Sequence, residues 1–281
     1  YDYLLSNNTL NYKKQLNQYS PKLYSIYQNI QRFIKNGNPT GKILFYSDFR
    51  ADAGSEAFEL VLKSNGYEKY DPNKPNTKQK RYTFITGLEG PEERRINKEA
   101  FNDPKNKYGE FIQIMIISGA GAEGISLFCV RQVHILEPYW NFIRINQVFG
   151  RAKRMKSHTG KEGDVDYPWL PSEKRNVEQY LYLTTLPKGT NYEEIYNYLK
   201  TLDNWELPEI NTTGDKFISD IISPKYSTLH SLLDDIIKLN LDTNNYSSDE
   251  KIFQIMESKY KISEEINDII KESSLDCIQH T

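Results

Sequence analysis

Hydrophobic positions along this chain change their period several times, and the changes mark out its elements. In PKLYSIYQNIQRFIKNG, Leu23, Ile26, Tyr27, Ile30, Phe33 and Ile34 recur at helical spacing on one face. Pro21 suits the first turn of that helix and Gly37 its exit. A short apolar run, Ile43 to Tyr46, then reads as a buried strand, followed by a helix over about 54–63 that the Asn65-Gly66 turn ends. The polar, turn-rich stretch 68–80 reads as an exposed insertion. RYTFITG gives another strand, and Pro91 opens the charged helix PEERRINKEAF.

The centre is the most apolar part. FIQIMIIS is nearly continuous, as in a strand covered on both faces, and GAGAEG follows it as a loop. VRQVHILEP is a further strand, closed by Pro138, and a helix is expected from about Trp140 to Lys153. Strands and helices in this alternation predict an α/β fold with a parallel sheet. YLYLTTL, 180–186, offers one more strand, and NYEEIYNYLKTLD a helix after it. Beyond about residue 205, short amphipathic helices such as STLHSLLDDIIKLNL and SEEINDIIKESSLD alternate with polar loops. The division expected is a lead-in over 1–40, an α/β lobe over 41–205 and an acidic helical extension over 206–281.

Composition narrows the function classes. The chain has 281 residues and a formal net charge of -2, so no global basic field marks it for nucleic acid, and any such contact must be local. The two cysteines, Cys129 and Cys277, match neither a zinc site nor a secreted disulfide framework, which points to a reducing compartment and no metal. No apolar run is long enough to span a membrane. The chain starts at Tyr1 in mid-pattern, as a fragment or processed piece would.

Two stretches carry candidate chemistry. In Gln147-Val148-Phe149-Gly150-Arg151-Ala152-Lys153-Arg154, the two arginines are three apart and should emerge on one side of a helix, with Gln147 on a similar side. A guanidinium is permanently charged and carries a rigid donor fork that suits phosphate oxygens. A solvated basic helix end would look the same. The second stretch is Ser118-Gly119-Ala120-Gly121-Ala122-Glu123-Gly124, directly after a buried strand, where open α/β sheets place their crevices. Its letters spell GxGxxG, but the chain turns back into a strand too soon for the long helix of a dinucleotide fingerprint. A plain tight turn is the alternative for this loop alone.

Taken together, ISGAGAEGISL, VHILEPYWN and RINQVFGRAKR resemble motifs V and VI of superfamily 2 helicases. The resemblance is nearest to the Swi/Snf-like branch and to the transcription ATPases of large DNA viruses. KILFYSDF resembles motif IV, and ESSLDC resembles the C-terminal region of the viral proteins. The resemblance implies a RecA-like lobe that closes on a second lobe around ATP, with nucleic acid across both. It makes Arg151, Arg154 and Gln147 the motif VI groups at the γ-phosphate, Arg154 first among them. It places Gly121, Glu123 and Gly124 beside the nucleotide, and Ser47, Asp48, Ser118 and Gly119 on the nucleic-acid side. The Tyr139-Trp140 pair would pack the motif VI helix or meet nucleic acid.

Two departures stand out. Many relatives carry a charged side chain where this chain has Gly119, and Glu123 would repel a phosphate. No GxxxxGK[ST] loop or DExx-type box occurs, so ATP with Mg2+ should be held mainly by an N-terminal RecA-like lobe outside this chain. The implied partners are that lobe, DNA or RNA, and viral transcription machinery, in virion and host cytoplasm. A non-catalytic helicase-like scaffold of a transcription or packaging complex is the second expectation, and a nucleotide-sugar enzyme the third.

Overall fold

The computed structural model describes residues 10, 11, 13, 15–51, 54–75, 80–119, 124–154, 157–159, 170–185 and 246–273. The chain divides into two compact units, one of residues 1–183 with 252–281 and one of residues 184–251.

The elements begin with a short helix α1 (Leu16–Tyr19) and helix α2 (Pro21–Gln31). α2 starts where sequence chemistry favours a start: the Ser20 side chain accepts from Leu23 N at 3.2 Å and Pro21 occupies the first turn. The hairpin β1 (Ile34–Lys35) and β2 (Asn38–Pro39) follows, then β3 (Lys42–Tyr46), α3 (Ser55–Ser64), β4 (Glu68–Lys69) and β5 (Arg81–Ile85). Next come α4 (Pro91–Asn102), β6 (Ile114–Ile117), β7 (Val130–Ile135), α5 (Phe142–Ala152), β8 (Glu178–Leu181) and α6 (Ser248–Ser273).

Six strands form one sheet in the order β4-β5-β6-β3-β7-β8, and every neighbouring pair is parallel. The sheet is a parallel α/β core flanked by helices, as the alternating pattern predicts, and RecA-like, as the resemblance implies. β3, β5, β6 and β7 are buried along their whole length, because helices cover both faces. Alternation decides which face each residue serves. Leu44 and Tyr46 of β3 join Met115, Ile117, Val133, Ile145 and Val148 on one face. Ile43 and Phe45 join Leu23, Ile26, Ile30, Phe58 and Leu62 on the other. On that second face the rings of Phe45 and Phe58 stack with centroids 3.9 Å apart. Each fully buried Ile, Leu or Phe contributes about 1.5–3 kcal/mol to folding. The apolar stripe of α2 is part of this core, so the lead-in segment is packed structure.

Three local expectations change. Residues 68–80 are not wholly an insertion, since Glu68 and Lys69, both exposed, add the edge strand β4 beside β5. The late strand is Glu178–Leu181, two residues ahead of the YLYLTTL reading, because its register is set by pairing with Gln132–Ile135. Among the described residues of the C-terminal extension, one helix of 26 residues stands where a shorter helix over SEEINDIIKESSLD is expected. Phe253 and Met256 of this helix pack on the core, while Ile262, Ile266, Ile269 and Ile270 are exposed. The helices expected over 191–203 and 227–241 lie outside the described residues.

Candidate functional site

The carboxyl ends of the strands and the outer face of α5 together form the site. α5 starts at Asn141, whose side chain accepts from Ile143 N at 2.9 Å. Ile145, Val148 and Ala152 turn into the core. The opposite face is left to Arg144, Gln147 and Arg151, spaced three and seven residues apart and therefore aligned. These three line a cleft of about 380 Å³ together with Tyr46, Gly119, Tyr139 and Trp140. Gln147 is exposed and Arg151 half-buried.

Arg154 lies elsewhere. α5 ends at Ala152 with Lys153 as its cap, so Arg154 does not share a helical face with Arg151 as the three-residue spacing predicts. The cause is lateral capping. The Arg151 carbonyl accepts from Leu127 N at 3.2 Å, and the Ala152 carbonyl from Ser157 Oγ at 3.2 Å. These side-on bonds take the last-turn carbonyls out of the helix. Arg154 is exposed and its Nη1 donates to Ser126 Oγ at 2.5 Å, on the segment after the glycine loop.

The loop after β3 is held from three sides. Ser47 is buried, with its Oγ 2.8 Å from Glu137 Oε1 and 2.7 Å from the Phe49 carbonyl. Asp48 N donates to Glu137 Oε2 at 3.3 Å. Burial pushes the Glu137 carboxyl up to about 7, against the two hydrogen bonds that favour its charge. That suits the geometry, since the single Ser47 hydroxyl proton cannot serve both Phe49 and Glu137, and a protonated Glu137 can donate to Ser47 instead. Arg50 reaches the loop after β5, donating to Glu56 Oε1 at 3.1 Å and Thr86 Oγ1 at 2.7 Å. Thr86 donates in turn to Glu89 through its backbone and hydroxyl. Burial opposes the Glu89 charge, but the Thr86 donors and Arg50 outweigh it and hold its carboxyl below the usual range.

The third tie crosses the glycine loop. Asp48 Oδ1 accepts from Tyr46 OH at 2.7 Å and from Arg144 Nη2 at 2.5 Å, while Arg144 Nε donates to Tyr46 OH at 3.1 Å. Burial and the Asp48 bond push the Tyr46 hydroxyl well up from its usual value. This pair runs directly over Gly119: a Cβ there would sit 2.3 Å from Arg144 Nη2 and 3.0 Å from Asp48 Oδ1. A side chain at 119 would displace the Arg144 guanidinium, so glycine here leaves room for the Arg144–Asp48 pair. Ser118 closes β6 and is nearly buried. Gly124 is exposed with a φ of 73°, a conformation that returns the chain toward buried Ile125 and Leu127. Gly121 and Glu123 lie outside the described residues.

The structure therefore brings Gln147, Arg151, Gly119 and Asp48 into one neighbourhood, sets Arg154 apart from it, and commits Ser47 to internal bonds. Sequence reasoning missed Arg144, Tyr46 and Glu137. Arg144 carried a usable signal, its alignment with Gln147 and Arg151, whereas Glu137 looked like an ordinary strand end. Tyr139 packs against the core as expected, and Arg144 lies 4.5 Å over its ring. Trp140 does not pack inward: it is 47 % exposed, walls the cleft, and carries Lys259 Nζ of α6 at 4.0 Å from its ring centre. Among the described residues no group of three or more His, Cys, Asp or Glu could hold a metal ion, and no helix is long and apolar enough to cross a membrane.

Residues 25–156 match the family model described as helicase conserved C-terminal domain. The chain is similar to the termination factor NPH-I homolog of African swine fever virus, at 30 % identity over 216 residues, covering 62 % of this chain and 28 % of that protein. It is also similar to the uncharacterized killer plasmid pGKL-2 helicase of Kluyveromyces lactis, at 36 % identity over 134 residues, covering 47 % of this chain and 22 % of that protein. It thus spans less than a third of the length of these relatives. Among solved structures, the C-terminal part of the Fun30 ATPase domain aligns with a TM-score of 0.41 at 20 % identity, covering 79 % of this chain and 54 % of that one. The matched segment runs from α2 through the cleft-lining helix α5, so this part of the chain is similar to a helicase conserved C-terminal domain, and the chain is related at low identity to viral helicases.

Proposed function

We propose that this chain is the C-terminal motor lobe of an ATP-dependent nucleic-acid helicase or translocase of the Swi/Snf-like type that serves viral transcription. The observation that supports it most is the row Arg144, Gln147 and Arg151 along one cleft, beside Gly119 at the end of β6. Of these, Gln147 and Arg151 are donors that fit an anion, and the permanent charge of Arg151 would favour charge that develops on a transferred phosphoryl group. In this reading ATP with Mg2+ binds mainly on an N-terminal RecA-like lobe in a longer protein, and this cleft completes the site when the lobes close. Arg151 takes the place at the γ-phosphate. Arg154 stands off the helix on Ser126 and reaches the site only if that segment moves. DNA or RNA lies across the strand ends of both lobes.

The test is Arg151→Ala in a protein carrying both lobes. Turnover should fall about 10²- to 10³-fold, as when one charge-stabilising donor is lost, while ATP affinity changes little. Turnover within a few-fold of wild type would remove this cleft from the ATP site. Residues 1–281 alone should hydrolyse ATP no faster than background.

A further inference from the structure

The motor reading assigns work to Gln147 and Arg151 but says nothing of Arg144, which shares their face and is anchored quite differently. Its guanidinium serves two groups at the end of β3, Tyr46 OH and Asp48 Oδ1. Those two are themselves bonded, at 2.7 Å, so the three side chains form a closed triangle. The triangle spans two elements distant in sequence, with Gly119 beneath it as a third. The loop that holds Asp48 is also fixed to β7 through Glu137 and to the loop after β5 through Arg50. Arg144 is thus the point where a laced layer of strand ends joins the helix that carries the cleft.

We propose that Arg144 is a positioning residue. Through the two hydrogen bonds it donates, to Asp48 and to Tyr46, across Gly119, it couples the loop after β3 to α5, so that a ligand displacing the strand-end loops shifts Gln147 and Arg151 in the cleft. This rests on the motor reading and adds the route by which nucleic acid would set the rate of hydrolysis. Physical reasons favour Arg144 for that work. Its rigid fork holds two partners at once, which an ammonium cannot do. Two elements tied by a short charged contact over a glycine move together or break the contact, with no compliant side chain between them.

The experiment uses the protein that carries this chain with its partner lobe, and reads turnover with and without saturating single- or double-stranded DNA or RNA. Arg144→Ala should lower the nucleic-acid stimulation ratio by about fivefold or more, within the usual range of coupling between sites. Arg144→Lys should fail to restore it, since the charge remains but the fork is gone. Gly119→Ala leaves all three side chains intact yet intrudes on them, and should lower the ratio similarly. The decisive arm is the double variant. If the methyl at 119 acts by displacing Arg144, Gly119→Ala should have no further effect once Arg144 is alanine. Multiplicative losses would overturn the proposal, and so would an unchanged ratio or full rescue by Arg144→Lys. Melting curves of each variant confirm folding, and Tyr46→Phe, which removes one hydroxyl, replaces any variant that does not fold. A wild-type protein without nucleic-acid-stimulated hydrolysis would overturn the motor reading and this coupling with it. A stimulated wild type with an equally stimulated Arg144→Ala would overturn the coupling alone.

Discussion

The two ends of this sheet both bury polar side chains, but they spend them differently. At the amino end the partners are mostly backbone. Lys42 Nζ donates to the Phe101 carbonyl at 2.6 Å, and His158 Nε2 lies 2.7 Å from the Val130 carbonyl. Asn106 bonds the backbones of Phe101, Phe111 and Ile112. At the carboxyl end the partners are side chains from other loops or from α5: Ser47 with Glu137, Arg50 with Thr86, and Asp48 with Arg144. The amino-end groups satisfy chain that turns between elements, so they determine whether the lobe folds. The carboxyl-end groups fix loops against one another and against α5 beside an open cleft, so in the proposed motor reading they bear on how the lobe works. Burial of a polar residue does not distinguish these roles, and the nature of its partner does.

The largest test of this contrast is Asn106→Ala. Asn106 is fully buried and makes four hydrogen bonds to backbone. Its loss should cost about 3 kcal/mol or more, because several backbone groups lose their partner at about 1–3 kcal/mol each. Urea unfolding of this chain measures it, and a loss under about 1 kcal/mol would break the assignment of the amino end to stability.

The next test is Glu137 at the carboxyl end. Its carboxyl is raised from 4.5 to about 7 in the folded lobe, so the folded state binds the proton more tightly than the unfolded one. Stability from this group is therefore fully present below about pH 4.5 and is lost as pH rises through 7, by about 3 kcal/mol in all. Glu137→Gln should flatten that part of the stability–pH curve. An identical slope in the variant would show that Glu137 is ionised across the window.

The smallest effect belongs to Lys42→Met. Burial lowers the Lys42 ammonium from 10.5 to about 8, so the wild type should gain stability as pH rises from about 8 toward 10. The Phe101 carbonyl keeps Asn106 as a donor, so the apolar substitute leaves no orphan. The change should be within about 1 kcal/mol of neutral at pH 7 and should remove the alkaline gain, both readable from melting curves. A loss of several kcal/mol would mean that the buried ammonium itself holds the amino end together.

Much of the lobe was legible in the chain. The strands over Ile43–Tyr46, Arg81–Ile85 and Ile114–Ile117 and the helix ending near Arg151 follow directly from period and punctuation. Three things were not. The single long helix α6 was hidden by its scattered Ser and Asn, which disfavour helices locally but do not stop one that packs Phe253 and Met256 on a core. The departure of Arg154 from the face of Arg151 was hidden because Leu127, whose N–H takes the Arg151 carbonyl, lies on another segment. The Asp48–Arg144 pair was hidden because 96 residues separate its members.

The sequence by itself determined the parallel α/β lobe and the identity of the groups on offer, since hydrophobic period and residue chemistry are local properties. It also determined that Gln147 and Arg151 would share a face, because helical geometry alone requires it. Only the tertiary structure decided that Arg154 leaves that face, that Asp48 faces Arg144, and that Gly119 leaves room for that pair. Those outcomes depend on which distant backbone or carboxylate arrives within about 3 Å, the reach of a hydrogen bond, and one-dimensional spacing carries no such information.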